Sequence, residues 1–190
     1  FEPLSSTPGG HAVFALGTGP RFPTYEFALA YESIVASGCR GAGVTAAPLA
    51  RVEVRPASVV VRSATPLNAR SAITCWAQLA PFDVEVPPDK IELYLSEIQA
   101  GPALRASWAA MKARGLPWRE RYTKSARIEL GGSGLRAALP LAMDVRLDSP
   151  RQPIRAGDEL TLQVLRDGAP LADLPLELVN DSNPLGLWRH

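Results

Sequence analysis

Two histidines, His11 and His190, stand near opposite ends of the 190-residue chain. A serine nucleophile needs a histidine base, and a metal site gathers three or four ligands, so an isolated imidazole supports neither chemistry. No serine lies in the GxSxG pattern that presents a nucleophile between a strand and a helix. We therefore interpret His11 as a strand or surface residue unless further ligands join it.

Carboxylates are numerous, but structural roles explain their positions. Asp83 and Glu85 alternate along a strand pattern, Asp89 and Glu92 stand where a helix begins, and Glu97 falls on that helix's polar face. A carboxylate pair for glycoside hydrolysis is the alternative that the sequence leaves open. The four tryptophans are interpreted as core or partner-interface residues, although a ligand groove is the alternative.

Cys39 and Cys75 each lie beside a predicted strand. Neither belongs to a CxxC pair or has a histidine nearby in sequence, which argues against redox catalysis and against a zinc site. The residues alone leave two alternatives open. The two cysteines form a disulfide in an exported protein, or they are two buried thiols in a cytosolic protein.

The composition is that of an ordinary globular protein, with 46% hydrophobic and 21% charged residues. No apolar run approaches the roughly 20 residues that cross a bilayer. Basic and acidic residues number 20 and 19, and the arginines are scattered, which argues against a nucleic-acid or anionic-membrane partner. The first residue, Phe1, is compatible with removal of a signal peptide.

Alternating and β-branched apolar residues predict a sheet-rich N-terminal module. A further segment, 25–35, fits a strand or a short helix, and we favour the strand. The predicted strands of this module lie at residues 11–16, 52–55, 59–61, 71–79 and 82–86.

A change of pattern at the double proline 87–88 marks the start of two helices. Asp89 is placed to cap the first helix, with Glu92 as its reciprocal partner. Pro102 suits the first turn of the second helix. We predict a helical hairpin over about residues 89–115, packed against the sheet.

The C-terminal part reads as β structure. Residues 160–164 and 174–178 alternate on either side of the turn signal Asp167-Gly168, which predicts a hairpin with one buried face. The glycine-rich stretch 131–134 lacks the lysine of a phosphate loop and is predicted to be a turn, while residues 180–190 are predicted to be a loop.

These patterns predict a mainly β protein of two domains. The first, residues 1–140, is a β-sandwich-like module with the helical hairpin. The second, residues 141–190, is a β-sandwich module with three or four strands where about seven are usual. We therefore expect it to continue beyond the chain or to be completed by a partner.

Four segments in series resemble an uncharacterised family of bacterial periplasmic proteins described as the periplasmic component of cobalt or nickel uptake systems. The resemblance covers about two-thirds of the chain and leaves residues 41–70 unmatched. The similar segments are Phe1-Glu2-Pro3, residues 84–95, residues 119–126 with the sequence RERYTKSA, and residues 157–160 together with 164–172.

The resemblance implies export to the periplasm and a C-terminal module of the immunoglobulin-like or transthyretin-like type. Export in turn implies a disulfide between Cys39 and Cys75, which would stabilise the fold by roughly 4 kcal/mol. The resemblance also implies binding of a divalent ion, nickel or cobalt. Glu2 and His11 are the candidate ligands, although the family's histidine before Phe1 is absent from this chain.

Trp118, Arg119 and Tyr122, in and beside the similar segment 119–126, are the candidate binding or interface residues. We expect a non-catalytic periplasmic binding or accessory protein whose partner is a metal-transport membrane component. The alternative is a structural subunit of a larger envelope or extracellular assembly, held through strand edges and exposed aromatic residues.

Overall fold

The computed structural model describes residues 2–6, 10–19, 25–41, 44–67, 72–130, 139–148, 157–174, 176–180 and 183–189. The chain divides into two compact units. The main unit comprises Phe1–Ala80 and Ser125–His190, and the inserted unit comprises Pro81–Lys124. The predicted boundary at residue 140 does not coincide with this division. The predicted glycine-rich turn at 131–134 and His190 lie outside the described residues.

Strands dominate the described structure, as the predicted mainly β fold requires. The helices between them are α1 (Ile91–Glu97) and α2 (Pro102–Ala113). The described strands are β1 (Glu2–Ser6), β2 (Ala12–Gly17), β3 (Ile34–Gly41), β4 (Val44–Ala47), β5 (Leu49–Arg55), β6 (Ser58–Ser63), β7 (Ile73–Leu79), β8 (Phe82–Val86), β9 (Trp118–Tyr122), β10 (Ser125–Leu130), β11 (Met143–Leu147), β12 (Leu162–Arg166), β13 (Ala169–Pro170), β14 (Leu176–Asn180) and β15 (Asn183–Arg189).

The main unit contains two four-stranded antiparallel sheets with a shared core. Their strand orders are β1-β2-β6-β5 and β10-β7-β3-β4. Phe14 of β2 lies opposite Val61 of β6, and both are fully buried against Cys39 and Cys75 of the second sheet. The β-branched run of β6 suits this position, since such side chains pack well on a pleated surface. The predicted sandwich-like arrangement is confirmed.

The C-terminal strands form a sheet of order β11-β12-β13 and a separate β14-β15 pair. Asp167 and Gly168 both have positive φ, as a tight hairpin turn of type I′ requires. This turn joins β12 directly to β13, so the predicted pairing of residues 160–164 with 174–178 is wrong. The predicted terminal loop is also wrong, because β15 occupies most of it and pairs with β14.

Buried contacts join these C-terminal strands to the second sheet of the main unit. Leu139 and Leu141 pack against Trp76 of β7. Arg127 Nη1 of β10 donates to Asp144 Oδ2 of β11 at 2.6 Å, and both side chains are almost fully buried. Residues on both sides of position 140 therefore share one packed unit.

The inserted unit is an antiparallel β8-β9 ribbon whose strands are connected through α1 and α2. This confirms the predicted helical hairpin. The rings of Trp108 and Trp118 meet edge to face with centroids 5.8 Å apart. None of the described helices is long and apolar enough to span a membrane. The buried core of the unit consists of Val86, Ile91, Leu95, Trp108 and Trp118.

Two local predictions are wrong. Asp89 lies inside a 3-10 turn, Pro88–Lys90, so that Lys90 takes the N-cap position and no side chain caps the helix. Glu92 accepts a hydrogen bond from the Trp108 indole instead of reaching back to the helix start. In the segment 25–35, a 3-10 turn at 31–33 precedes β3, and the preceding residues form no strand.

Candidate functional site

The β8-β9 ribbon carries ion pairs on one of its faces. Register places Asp83 opposite Arg121 and Glu85 opposite Arg119. Arg119 Nε lies 3.0 Å from Glu85 Oε2, and Arg121 Nε lies 3.8 Å from Asp83 Oδ1. All four side chains are exposed to solvent, so each pair contributes little to stability.

The opposite face of β9 gathers aromatic side chains around a single carboxylate. Since side chains alternate along a strand, Trp118, Glu120 and Tyr122 share this face. Tyr94 of α1 donates its hydroxyl hydrogen to Glu120 Oε2 at 2.6 Å, and the Trp118 indole donates to Glu120 Oε1 at 2.7 Å. The Tyr122 hydroxyl donates to the Tyr94 oxygen at 3.4 Å. We call these four residues the Glu120 cluster.

The cluster favours an ionised carboxylate among protonated hydroxyls. Burial disfavours the charge on Glu120, but hydrogen bonds from two tyrosine hydroxyls and the Trp118 indole outweigh it and lower the pKa of Glu120. Burial and the hydrogen bond to Glu120 raise the pKa of Tyr94 far above its ordinary value. Burial also raises the pKa of Tyr122. At neutral pH the cluster therefore carries one negative charge.

Aromatic rings extend from the cluster to the surface of the inserted unit. The Phe82 ring lies 5.6 Å from the Tyr122 ring, centroid to centroid. Lys124 Nζ lies over the Phe82 ring, 5.7 Å from its centroid. Tyr94, Glu120 and Tyr122 are partly exposed, and Phe82 is 37% exposed. An anion bordered by aromatic rings is suited to binding a cation.

The three predicted binding residues fall on two faces. Trp118 and Tyr122 belong to the Glu120 cluster, whereas Arg119 lies on the opposite face of β9. Sequence reasoning missed Tyr94 and Glu120. The available signal was the spacing of Trp118, Glu120 and Tyr122 at every second position, which marks one face of a strand.

The predicted metal ligands are not brought together by the β1-β2 register. Glu2 pairs with Ala15, whereas His11 directly precedes Ala12 at the other end of β2, a separation of about 13 Å along the strand. The side chain of Glu2 lies outside the described part. His11 Nδ1 hydrogen-bonds to the Ser63 carbonyl oxygen at 2.8 Å. Among the described residues, no group of three or more His, Cys, Asp or Glu side chains is placed to hold a metal ion.

Cys39 and Cys75 form a disulfide, as the resemblance implied. They occupy directly opposed positions on β3 and β7, with Cα atoms 4.0 Å apart. Both residues are fully buried in the core of the main unit. The bond thus links two strands that already pair in one sheet.

Comparison of the chain with family models, curated proteins and solved structures found no match. The choice of candidate site therefore rests on the geometry of the inserted unit. Its central feature is the ionised Glu120 side chain, held by the donors Tyr94 and Trp118.

Proposed function

We propose that the protein is a non-catalytic binding or accessory protein of a bacterial cell envelope, serving the uptake of a divalent metal such as nickel or cobalt. The observation that carries the binding or accessory part of this proposal is the Glu120 cluster. It lies where the sequence resembles the uptake family, in and beside segment 119–126, and it forms a surface suited to binding.

The chemistry of the cluster supports binding without turnover. Both Glu120 oxygens accept hydrogen bonds from fixed donors, and its lowered pKa makes it a poor general acid at neutral pH. The raised pKa of Tyr94 disfavours a phenolate nucleophile. What remains is a fixed anion with aromatic neighbours.

The disulfide supports the envelope location. Bonds such as Cys39–Cys75 form and persist in oxidising compartments, including the bacterial periplasm, and are rare in the cytosol. Full burial of both residues shields the bond from soluble reductants. A periplasmic location accounts for the presence of this disulfide.

The metal part of the proposal rests on the resemblance and is tested by titration. The protein is purified from its native envelope, and its metal content and intact mass are measured first. Nickel, cobalt, copper and zinc are then titrated into it and the heat of binding is measured by calorimetry. Stoichiometric binding of micromolar or tighter affinity, weakened by His11→Ala, supports a metal carrier. The His190→Ala variant serves as the control. Absence of heat with all four ions and a metal-free native protein would contradict it.

A structural subunit is the second candidate, and strand β5 favours it. This strand ends the sheet β1-β2-β6-β5, and Val52 and Val54 on it are 55% and 56% exposed. Exposed apolar edge strands are templates for pairing with another chain. Leu93, 57% exposed on the helix α1, provides a matched control that lies on no strand edge.

The edge-strand candidate predicts a partner that co-purifies from the envelope at fixed stoichiometry. The double variant Val52→Lys, Val54→Lys should lose this partner because charge on an edge opposes pairing. Leu93→Lys should retain it. Equal retention by both variants would rule out β5 as the point of attachment.

A further inference from the structure

We infer that the Glu120 cluster, together with Phe82, binds an organic ammonium cation. The ligand class is an alkylammonium group, either a free amine or a lysine side chain presented by a partner. This site is distinct from the predicted metal ligands, and the inference holds whether or not the protein binds nickel or cobalt.

The charge on Glu120 is the first argument. On the opposite ribbon face, Asp83 and Glu85 each pair with an arginine. The hydrogen-bond donors that hold Glu120 are neutral, and no salt bridge found among the described residues includes Glu120. A partly buried anion interacts with an incoming cation more strongly than an exposed one, because less solvent screens it.

The remaining hydrogen-bonding capacity of the carboxylate is the second argument. The two oxygens of Glu120 offer four lone pairs, and at most three described donors reach them, from Tyr94, Trp118 and Tyr122. At least one lone pair therefore remains for a further donor. A primary ammonium group carries three N–H donors and can fill this position.

The aromatic border is the third argument. The faces of tyrosine and phenylalanine rings attract cations within about 6 Å of their centroids. Lys124 already shows this behaviour at Phe82, where its ammonium nitrogen lies 5.7 Å from the ring centroid. Tyr94 and Tyr122 meet at their hydroxyl groups beside the carboxylate, and the Tyr122 ring lies 5.6 Å from the Phe82 ring. A ring face that attracts an ammonium group therefore lies beside the cluster that holds the anion.

The same features disfavour a metal ion at this position. Zinc and calcium require several deprotonated or carbonyl ligands. Here one carboxylate is accompanied by Tyr94 and Tyr122, whose raised pKa values keep their hydroxyls protonated. An ammonium ion needs only one negative charge and a hydrogen-bond acceptor, and Glu120 supplies both.

The test follows the indole N–H of Trp118, which donates directly to Glu120. Butylammonium and tetramethylammonium chloride are titrated into the ¹⁵N-labelled full chain at constant ionic strength. The Trp118 signal is assigned with Trp118→Phe. We expect a saturable shift of this signal with butylammonium, while the Trp76 indole of the main unit stays unchanged. A glycine-flanked lysine peptide forms a further arm, and tighter binding than butylammonium would identify a protein side chain as the natural source.

Variants separate the charge from the shape of the site. Glu120→Gln keeps the size of the side chain and should weaken butylammonium binding about tenfold or more. Glu97→Gln, a change of an exposed carboxylate on α1, is the control and should bind as wild type. Phe82→Leu, at a position 37% exposed, tests the ring and should weaken binding without affecting the fold.

Absence of a saturable shift in the wild-type chain would overturn the inference. Equal affinity of Glu120→Gln and wild type would overturn it as well. Should Glu120→Gln fail to fold, Phe82→Leu decides, and unchanged affinity in that variant contradicts the site. Calorimetric binding of nickel or cobalt is measured separately and bears only on the proposed metal function.

Discussion

Two glutamates of the inserted unit show how position along one ribbon sets the behaviour of a side chain. Glu85 lies on the exposed face and pairs with Arg119, whereas Glu120 lies on the packed face and accepts hydrogen bonds from neutral groups. Residue type alone does not distinguish them. The difference arises from strand alternation and from the tyrosine that α1 brings to the carboxylate.

At this scale, the lowered pKa of Glu120 predicts a pH-dependent contribution to stability. A carboxyl group whose pKa is lower in the folded state than in the unfolded state stabilises the fold at pH values above its unfolded-state pKa, about 4.3. It loses this effect as the pH falls through its folded-state pKa. The stability difference between wild type and Glu120→Gln should therefore be largest at neutral pH and shrink below about pH 4.

Urea denaturation at several pH values measures this difference. Glu97→Gln, at an exposed carboxylate, accounts for the general effect of removing one charge. A wild-type advantage over Glu120→Gln that grows on acidification would have the wrong sign and would contradict the assigned role of Glu120.

The residues of the cluster were partly predictable from sequence. Trp118 and Tyr122 were selected through the resemblance of the segment that they border or belong to, whereas Tyr94 was not selected. Its hydroxyl meets Glu120 across 26 positions of the chain. Such a contact depends on how α1 packs against β9, which periodicity within either element does not specify.

At the scale of elements, apolar spacing predicted the two helices correctly, and it also indicates which leucines of α1 support the unit. Leu95 is fully buried, whereas Leu93, two positions earlier, is 57% exposed. A separation of two residues turns a side chain by about 200° around a helix, because one turn takes 3.6 residues. The two leucines therefore serve as a matched pair.

We expect Leu95→Ala to destabilise the inserted unit by about 2–5 kcal/mol, since it removes buried apolar atoms and leaves a cavity. Leu93→Ala should change stability by no more than about 0.5 kcal/mol. Chemical denaturation of both variants gives the comparison. Similar losses in the two variants would contradict the orientation of α1.

Turns were easier to predict than strand partners. Asp167-Gly168 was recognised as a turn because both residues tolerate positive φ. The following strand is the short β13, however, and β14 pairs with β15. Which strands pair depends on how different segments of the chain pack together. Alternation within one strand shows which side chains share a face, but it does not show which other strand is the neighbour.

At the scale of the whole molecule, the division into units follows buried contacts that no linear pattern reveals. Arg127 pairs with Asp144 and Glu129, and Glu129 accepts a hydrogen bond from Thr74 at 2.7 Å. These side chains join β7, β10 and β11 inside the main unit. The sequence predicted a boundary at residue 140 because the C-terminal β pattern begins after it, although packing continues across it.

This network predicts a loss of stability when its buried aspartate is replaced. Asp144→Ala should destabilise the main unit by about 1–3 kcal/mol, because the buried Arg127 guanidinium loses one of its two carboxylate partners. Asp148→Ala, at an exposed position just after β11, should have little effect. Thermal and urea unfolding measure both variants, and a neutral Asp144→Ala would contradict the buried ion pair.

The envelope location underlies the proposed function and is tested most directly by trapping the cysteines in intact source cells. Alkylation before and after reduction of the unfolded protein, read by mass spectrometry in separated periplasmic and cytosolic fractions, gives the state of Cys39 and Cys75. We predict a periplasmic protein whose two cysteines are labelled only after reduction. A cytosolic protein labelled at both thiols without reduction would contradict the account.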